Sequence, residues 1–392
     1  VRQTQAVNDQ VLLFSFPLTI RFKGSFGVVE QTVRISSRQE DFHFPLESAP
    51  EIVRLDPEYT LLARIQFPLS RAMAHAQLKD SSDVIGRLLA IEDLGRRRDR
   101  EAVAKLKEVL NTDEFYGVRI EAARALRAIH SDESLSALVS SRNQADARVR
   151  RQVAEEIGRF YHPDALEAAR EMARSERNPA IRAEAIKALG AYGEAGVRNT
   201  LLEFLNSDSY RNELAEAALE GIRASDDPFF VGLLLEILAR READFTTRGL
   251  AQGIETLAWV ARNESQKDNV REFILRHVNS PKRRIQIASL KALGLLGDWK
   301  AAPILERFAS AAEKTPQREA AESALRKLRD ERKPAEELQS LRQEVLELKK
   351  AGREASQTLE SLKKQVQALS AQTTKSGRRA PPALRSPKQS EP

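Results

Sequence analysis

The strongest constraint in this 392-residue chain is an internal repeat that comes into view when its alanines are aligned. It reads Val118-Arg119-x-x-Ala122-Ala123-x-Ala125-Leu126, then Val149-Arg150-x-x-Val153-Ala154-x-x-Ile157-Gly158. The fullest copy is Ile181-Arg182-Ala183-Glu184-Ala185-Ile186-Lys187-Ala188-Leu189-Gly190. Weaker copies stand at 215–219 and 250–257, a strong one runs from Ile285 to Gly294, and Arg318 to Leu325 closes the series. Successive anchors lie roughly 30 to 38 residues apart, the size of a two-helix unit. Alanines at i, i+3 and i+4 let neighbouring helices approach closely, and leucines fill the space between them. Units of this kind bury their apolar faces only against one another, so the expectation from residue 71 onward is a helical solenoid.

These strings resemble HEAT-type repeats, in which the second helix of each pair carries the valine–arginine–alanine–leucine pattern. Asp80, Asp113, Asp132, Asp208, Asp226 and Asp298 fall where turns or helix caps are expected.

The first 70 residues follow a different period. Leu12, Phe14, Phe16, Leu18, Ile20 and Phe22 alternate with residues that include Ser15, Thr19 and Arg21, as a strand with one wet face requires. Val29, Val33 and Ile35 continue the alternation, followed by Phe42-x-Phe44-x-Leu46 and Val53-x-Leu55. Pro17 cannot donate to a ladder, which predicts that the first strand is an edge or is interrupted there. Several short strands at this spacing predict a small antiparallel β-sandwich that leans on a neighbour for stability.

After Pro334 the period becomes 3.5. Leu338, Val345, Leu359 and Val366 alternate with Leu341, Leu348, Leu362 and Leu369 in an a/d heptad seam, with Gly352 and Ala355 weakening its middle. A homodimer through 338–369 is one expectation, and a helix folded back on the solenoid is the other. The fold expected overall is mainly α: a β-sandwich domain at 1–70, a HEAT-like helical repeat domain at 71–333, a coiled-coil helix at 334–370 and a disordered basic tail at 371–392.

Charge follows the same division. The net charge is +6, and the segment 371–392 alone holds five basic residues against one acid. The repeats are therefore close to neutral, which argues against nucleic acid as their partner. A weaker reading has the tail touching nucleic acid or anionic lipid. Zero cysteines exclude thiolate metal sites and a cysteine nucleophile in this chain. No stretch reaches a membrane span, and the expectation is a soluble chain with a slight preference for the cytoplasm.

Candidate chemistry is sparse. The five histidines, His43, His75, His130, His162 and His277, never stand four apart on a helix, and no phosphate-loop, dinucleotide or nucleophile-elbow motif occurs. His43 is expected to face solvent or an interface, and His162, ahead of Pro163, to cap a helix. Glu155, Glu156, Glu171 and Glu176 read as solvated helix faces. The runs 96–100 and 282–284 read as helix ends, where cations suit a C-terminus. The expectation is no catalytic, cofactor or metal residue in this chain.

The order of the pieces adds a resemblance. Val1-Arg-Gln-Thr-Gln5 with Phe14-Ser-Phe-Pro17-Leu-Thr-Ile20, then Phe44-Pro-Leu46, Pro50-Glu-Ile-Val53-Arg-Leu55-Asp56-Pro57 and Leu61-Leu62, look like the β-sandwich that follows the catalytic domain of M1-family zinc aminopeptidases. Ala76-Gln77-Leu78-Lys-Asp80, Asp83-Val84-x-x-Arg87 and Phe115-Tyr-Gly117-Val118-Arg119 resemble that family's C-terminal helical domain. The resemblance implies the C-terminal part of a longer aminopeptidase, supporting and enclosing a catalytic domain that precedes Val1. Zinc and a peptide substrate would bind in that preceding domain, and none of the family's catalytic residues maps onto this chain. The alternative function is a HEAT-repeat protein-interaction scaffold with no enzymatic activity, its partners held on the solenoid.

Overall fold

The computed structural model describes residues 1–8, 10–330 and 335–376, and in the last helix the side chains of 341–359, 362 and 363. Pro334 and residues 377–392, most of the expected basic tail, lie outside the described residues.

Alternation in the first segment produces a hairpin, β1 (Phe16–Gly24) and β2 (Gly27–Ile35), and a short third strand, β3 (Ile52–Leu55). All pairs are antiparallel and the sheet order is β2-β1-β3. Leu18, Ile20, Phe22 and Ile35 share the buried face. Pro17 therefore sits in the central strand rather than an edge. It is tolerated because β3 lies alongside only Ile20 to Lys23, so no ladder on that side asks for its missing N–H. The segment 42–46 alternates without becoming a strand. Pro45 lacks a donor, and Phe42, Phe44 and Leu46 pack onto the sheet as coil, with the Phe44 ring 5.0 Å from Phe22. Where a sandwich's second layer is expected, this irregular segment does the covering, and one three-stranded sheet results.

Two ion pairs fasten the sheet to the first helices. Lys23 on β1 reaches Asp80 at 2.5 Å, and Arg54 on β3 reaches Asp83 at 2.6 Å with its side chain only 3% exposed. Asp83 also accepts from the Gly86 N–H at 2.8 Å, capping α2. Burial pushes the Asp80 carboxyl up, and the bonds from Lys23 and Ser82 outweigh it, leaving the group below its ordinary range.

The helices run in pairs: α1 (Arg71–Lys79) with α2 (Val84–Arg97), α3 (Arg100–Thr112) with α4 (Tyr116–Ile129), α5 (Asp132–Ser140) with α6 (Ala147–Gly158), and α7 (Pro163–Ser175) with α8 (Pro179–Leu189). Then come α9 (Ala195–Asn206) with α10 (Glu213–Ser225), followed in chain order by α11 (Phe230–Arg240), α12 (Thr247–Ala261), α13 (Asp268–Leu275) and α14 (Arg283–Leu296), then α15 (Ala302–Ala309) with α16 (Pro316–Asp330), and the single α17 (Ala335–Ser376). The chain divides into two compact units, 1–260 with 276–289, and 261–275 with 290–392. Six residues assigned by sequence to the tail, 371–376, belong to α17.

Starts and stops follow the sequence. Ser70, Asp99 and Asn178 accept first-turn N–H groups, and Ser131 with Ser134 forms a reciprocal capping box. Asp80 and Asp113 close α1 and α3, and Asp226 ends α10 in a left-handed conformation.

In the first unit, α2, α4, α6, α8 and α10 pack in succession. A glycine near the end of one second helix meets a small residue of the next. A Cβ added at Gly95 or Gly158 would lie 3.3 and 2.7 Å from Ala125 and Ala188, and one at Gly190 would lie 2.2 Å from the Gly221 carbonyl oxygen. Within the second unit Gly294 stands against Ala324 in the same way.

Gly190→Ala is expected to destabilise the chain by about 1–3 kcal/mol through overpacking against backbone. Gly232→Ala, in the open face of α11, is expected to stabilise it by about 0.5–1 kcal/mol. Urea midpoints of the two variants check the contrast. Arg54→Ala leaves Asp83 buried without its cation and is expected to cost about 3–5 kcal/mol in the same measurement.

Candidate interaction surface on the repeats

The repeat arginine singled out by sequence is a structural clasp. In α4, α6 and α8 it occupies the fourth helical position. Arg119 donates to Gln144 Oε1 at 3.3 Å, Arg150 donates to the carbonyls of Gln144 and Ala145 at 2.8 and 2.9 Å, and Arg182 donates to the Ala173 carbonyl at 3.0 Å. In α14, Gln286 takes the same position and donates to the Val278 carbonyl at 3.0 Å. Arg150 and Gln286 tie down linker carbonyls, Arg182 a carbonyl of the last turn of α7, and Arg119 the side chain of Gln144 in a linker.

The polar side chains between these clasps do something else. Arg124 on α4 donates to Gln152 on α6 at 3.3 Å. Arg151 on α6 pairs with Glu184 on α8 at 2.7 Å, Lys187 on α8 with Glu220 on α10 at 3.1 Å, and Arg223 on α10 with Glu255 on α12 at 3.9 Å. Arg223 also lies 5.3 Å from the centre of the Trp259 ring. Each cation stands about one repeat before its partner, so the rungs form a ladder along the second helices of the first unit. Arg124 and Arg151 remain more than half exposed, so the ladder is a surface feature.

The carboxylates read as solvated faces divide. Glu155 is half-buried and Glu171 exposed, and they pair with Arg159 and Arg142. Glu156 is buried on α6 and accepts from Gln152 at 2.7 Å, and Glu176 is half-buried beside Arg150 at 3.1 Å. Burial pushes the Glu156 carboxyl up, against the opposing pull of Arg159 and the Gln152 bond. Sequence spacing missed it because Glu156 differs from Glu155 only by the 100° step that carries it out of solvent.

The histidines are dispersed. His43 is exposed. His162 Nδ1 accepts the Asp164 N–H at 3.1 Å and caps α7. His130 ends α4 with its ring 4.5 Å from that of Phe160, and His277 is buried 3.2 Å from Glu242. His75 borders a cleft of about 270 Å³ whose walls include Arg87, Lys105, Glu108 and Asp113. A second cleft of about 330 Å³ is walled by Arg142, Gln144, Arg150, Glu171 and Glu176. Both are floored by charges already matched, Arg87 with Asp113 at 3.1 Å and Arg142 with Glu171 at 2.7 Å. Among the described residues no group of three or more His, Asp or Glu could hold a metal ion.

The basic runs also separate. Arg96 and Arg97 end α2 and pair with Glu92 and Asp93. Arg283 and Arg284 instead open α14, against the dipole preference that the sequence suggested, and both are exposed.

Comparison with known proteins follows this geometry. A model of HEAT repeats matches residues 72–155 and 141–223. The chain is a HEAT-repeat solenoid preceded by a small antiparallel sheet. No curated protein sequence matches it significantly. Similar solved structures include the Escherichia coli protein YibA, 19% identical over 67% of this chain and 93% of that one, with a TM-score of 0.46. Human deoxyhypusine hydroxylase in complex with glycerol is 17% identical over 61% and 99%, with a TM-score of 0.31. The complex of CpcE and CpcF of phycocyanin lyase from Nostoc sp. PCC7120 is 20% identical over 73% and 92%, with a TM-score of 0.29.

The resemblance to M1 aminopeptidases is overturned. The strings between Ala76 and Arg119 that carried it lie inside the HEAT-repeat match, and the alternating strings before them build a single three-stranded sheet rather than that family's sandwich. Alternation is what any half-buried hairpin shows, so short strings of it do not distinguish one β domain from another. The readings of zinc in a preceding domain and of a peptide substrate rested on that resemblance alone.

A buried carboxyl with a raised pKa favours its neutral form on folding. The Glu156 contribution is therefore complete below the unfolded value, about 4.3, and is lost as pH rises through the higher folded one. Glu156→Gln is expected to raise stability at neutral pH and to remove that part of the pH dependence. Urea midpoints compared at acid and neutral pH check both.

Proposed function

We propose that this chain is a protein-interaction scaffold whose second helices hold a partner segment of mixed charge. The ladder Arg124–Gln152, Arg151–Glu184, Lys187–Glu220 and Arg223–Glu255 carries the reading. Beyond its first, neutral acceptor Gln152, it sets alternating cations and anions at repeat spacing on a HEAT-repeat fold, and stacked repeats commonly use extended faces of this kind for binding.

The energetics suit recognition. Exposed ion pairs contribute about 0–1 kcal/mol each, so a partner can exchange them for its own charges at little cost to the fold. Register then comes from matching the spacing of the rungs, and encounter is guided by charge. Trp259 beside Arg223 offers an aromatic surface at one end of the ladder. No described helix is long and apolar enough to cross a membrane.

The test replaces Arg124, Arg151, Lys187 and Arg223 together by alanine. The native chain is expected to retain a defined partner from its source at about 0.15 M salt and to release it as salt is raised. The variant is expected to lose that partner while keeping its helical circular dichroism and melting within a few degrees of the parent. Retention of the same partner by the variant refutes the assignment to this face.

A further inference from the structure

The last helix differs from the sixteen before it. α17 has 42 residues, about 63 Å of helix, yet none of its described side chains is buried. Helices in the repeats are stabilised by packing an apolar stripe, whereas a lone helix has only propensity and is marginal in water. The stripe on α17 is present and uncovered. Leu341, Val345, Leu348, Leu359 and Leu362 are all exposed, Leu348 at 65%. With Gly352 and Ala355 between Leu348 and Leu359, they fall at three- and four-residue intervals, the seam of a left-handed two-stranded coil.

We propose that α17 pairs with α17 of a second copy of this chain, parallel and in register, as a two-stranded coiled coil. The flanking charges select a second copy. With Val345 and Leu359 at a and Leu341, Leu348 and Leu362 at d, Glu344 occupies g and Lys349 the following e. In a parallel pair each g faces the partner's e five residues on, so Glu344 meets the partner's Lys349, and the contact occurs twice per dimer. The sequence repeats the arrangement one heptad earlier, Glu337 standing five residues before Arg342. An antiparallel pair aligned on the same middle sets e against e and brings Arg342 opposite the partner's Lys363, which repels. Val345 at a with Leu348 at d is also the combination that favours two strands. Gly352 and Ala355 leave the central heptad without large knobs, so the outer heptads supply the adhesion. The inference is independent of the partner-binding reading, because the coil uses no residue of the charge ladder.

The experiment uses the full chain, which has no cysteine of its own. Sedimentation equilibrium is expected to give twice the 44.0 kDa of one chain. Leu348→Asp is expected to raise the dimer dissociation constant at least about 100-fold without altering the melting of the repeats. Glu344→Lys is expected to weaken the dimer about tenfold, and Glu344→Lys with Lys349→Glu to restore it to within about threefold. The Leu348→Cys variant is expected to cross-link to its own counterpart under mild oxidation, as a d position in register requires. A mass of one chain at every concentration overturns the proposal, as does a dimer unaffected by Leu348→Asp. A Leu348→Cys dimer that stays unlinked, or a charge swap that fails to restore affinity, overturns the parallel register.

Discussion

Close approach between successive second helices is the constraint on which the repeats depend. Gly95 against Ala125, Gly158 against Ala188, Gly190 against Gly221 and Gly294 against Ala324 leave no room for a further carbon at the contact. With the backbones that near, Leu126, Ile157 and Leu189 are fully buried around the contact rather than between widely spaced cylinders. The glycines are expensive in isolation, since glycine weakens a helix, and are retained where the packing gained exceeds that loss.

Tight apolar contact settles where polarity can go. A second helix that gives one stripe to its neighbours has two polar zones left. The fourth-position arginines turn inward, Arg150 and Arg182 to carbonyls of their own repeat and Arg119 to Gln144 in the turn of the next. Residues such as Arg151, Lys187 and Arg223 face outward and bridge to the next repeat. The first set fixes turns and helix ends, and the second offers charges that a partner can reach. Residue type does not separate them, because arginine serves both roles; position along the helix does.

α17 is the counterexample inside the same chain. Its apolar residues repeat at 3.5 rather than in the broader stripe of the repeat helices, and nothing described covers them. A narrow a/d seam suits one partner helix of similar shape, whereas a broad stripe suits several neighbours. A dimer formed there would join two sets of repeats and allow bivalent engagement of a repeated or dimeric partner.

Much of this was legible in the amino-acid order. The alanine-rich repeat determined the paired helices, because small residues at i, i+3 and i+4 have few other uses. The strict alternation from Leu18 to Phe22 determined a strand, and Asp80, Asp113 and Asp226 marked helix ends. Tertiary structure alone decided the rest. It made 42–46 coil over a sheet, although its alternation matches that of β1, because pairing depends on a neighbour as well as on period. It buried Glu156 and left Glu155 partly in solvent, a difference of one helical step. It also turned the shared arginine into a clasp and the unremarked Arg151 and Lys187 into a ladder. An opposite charge about 33 residues further on was present in the sequence, but only stacked helices bring residues so far apart within reach of each other.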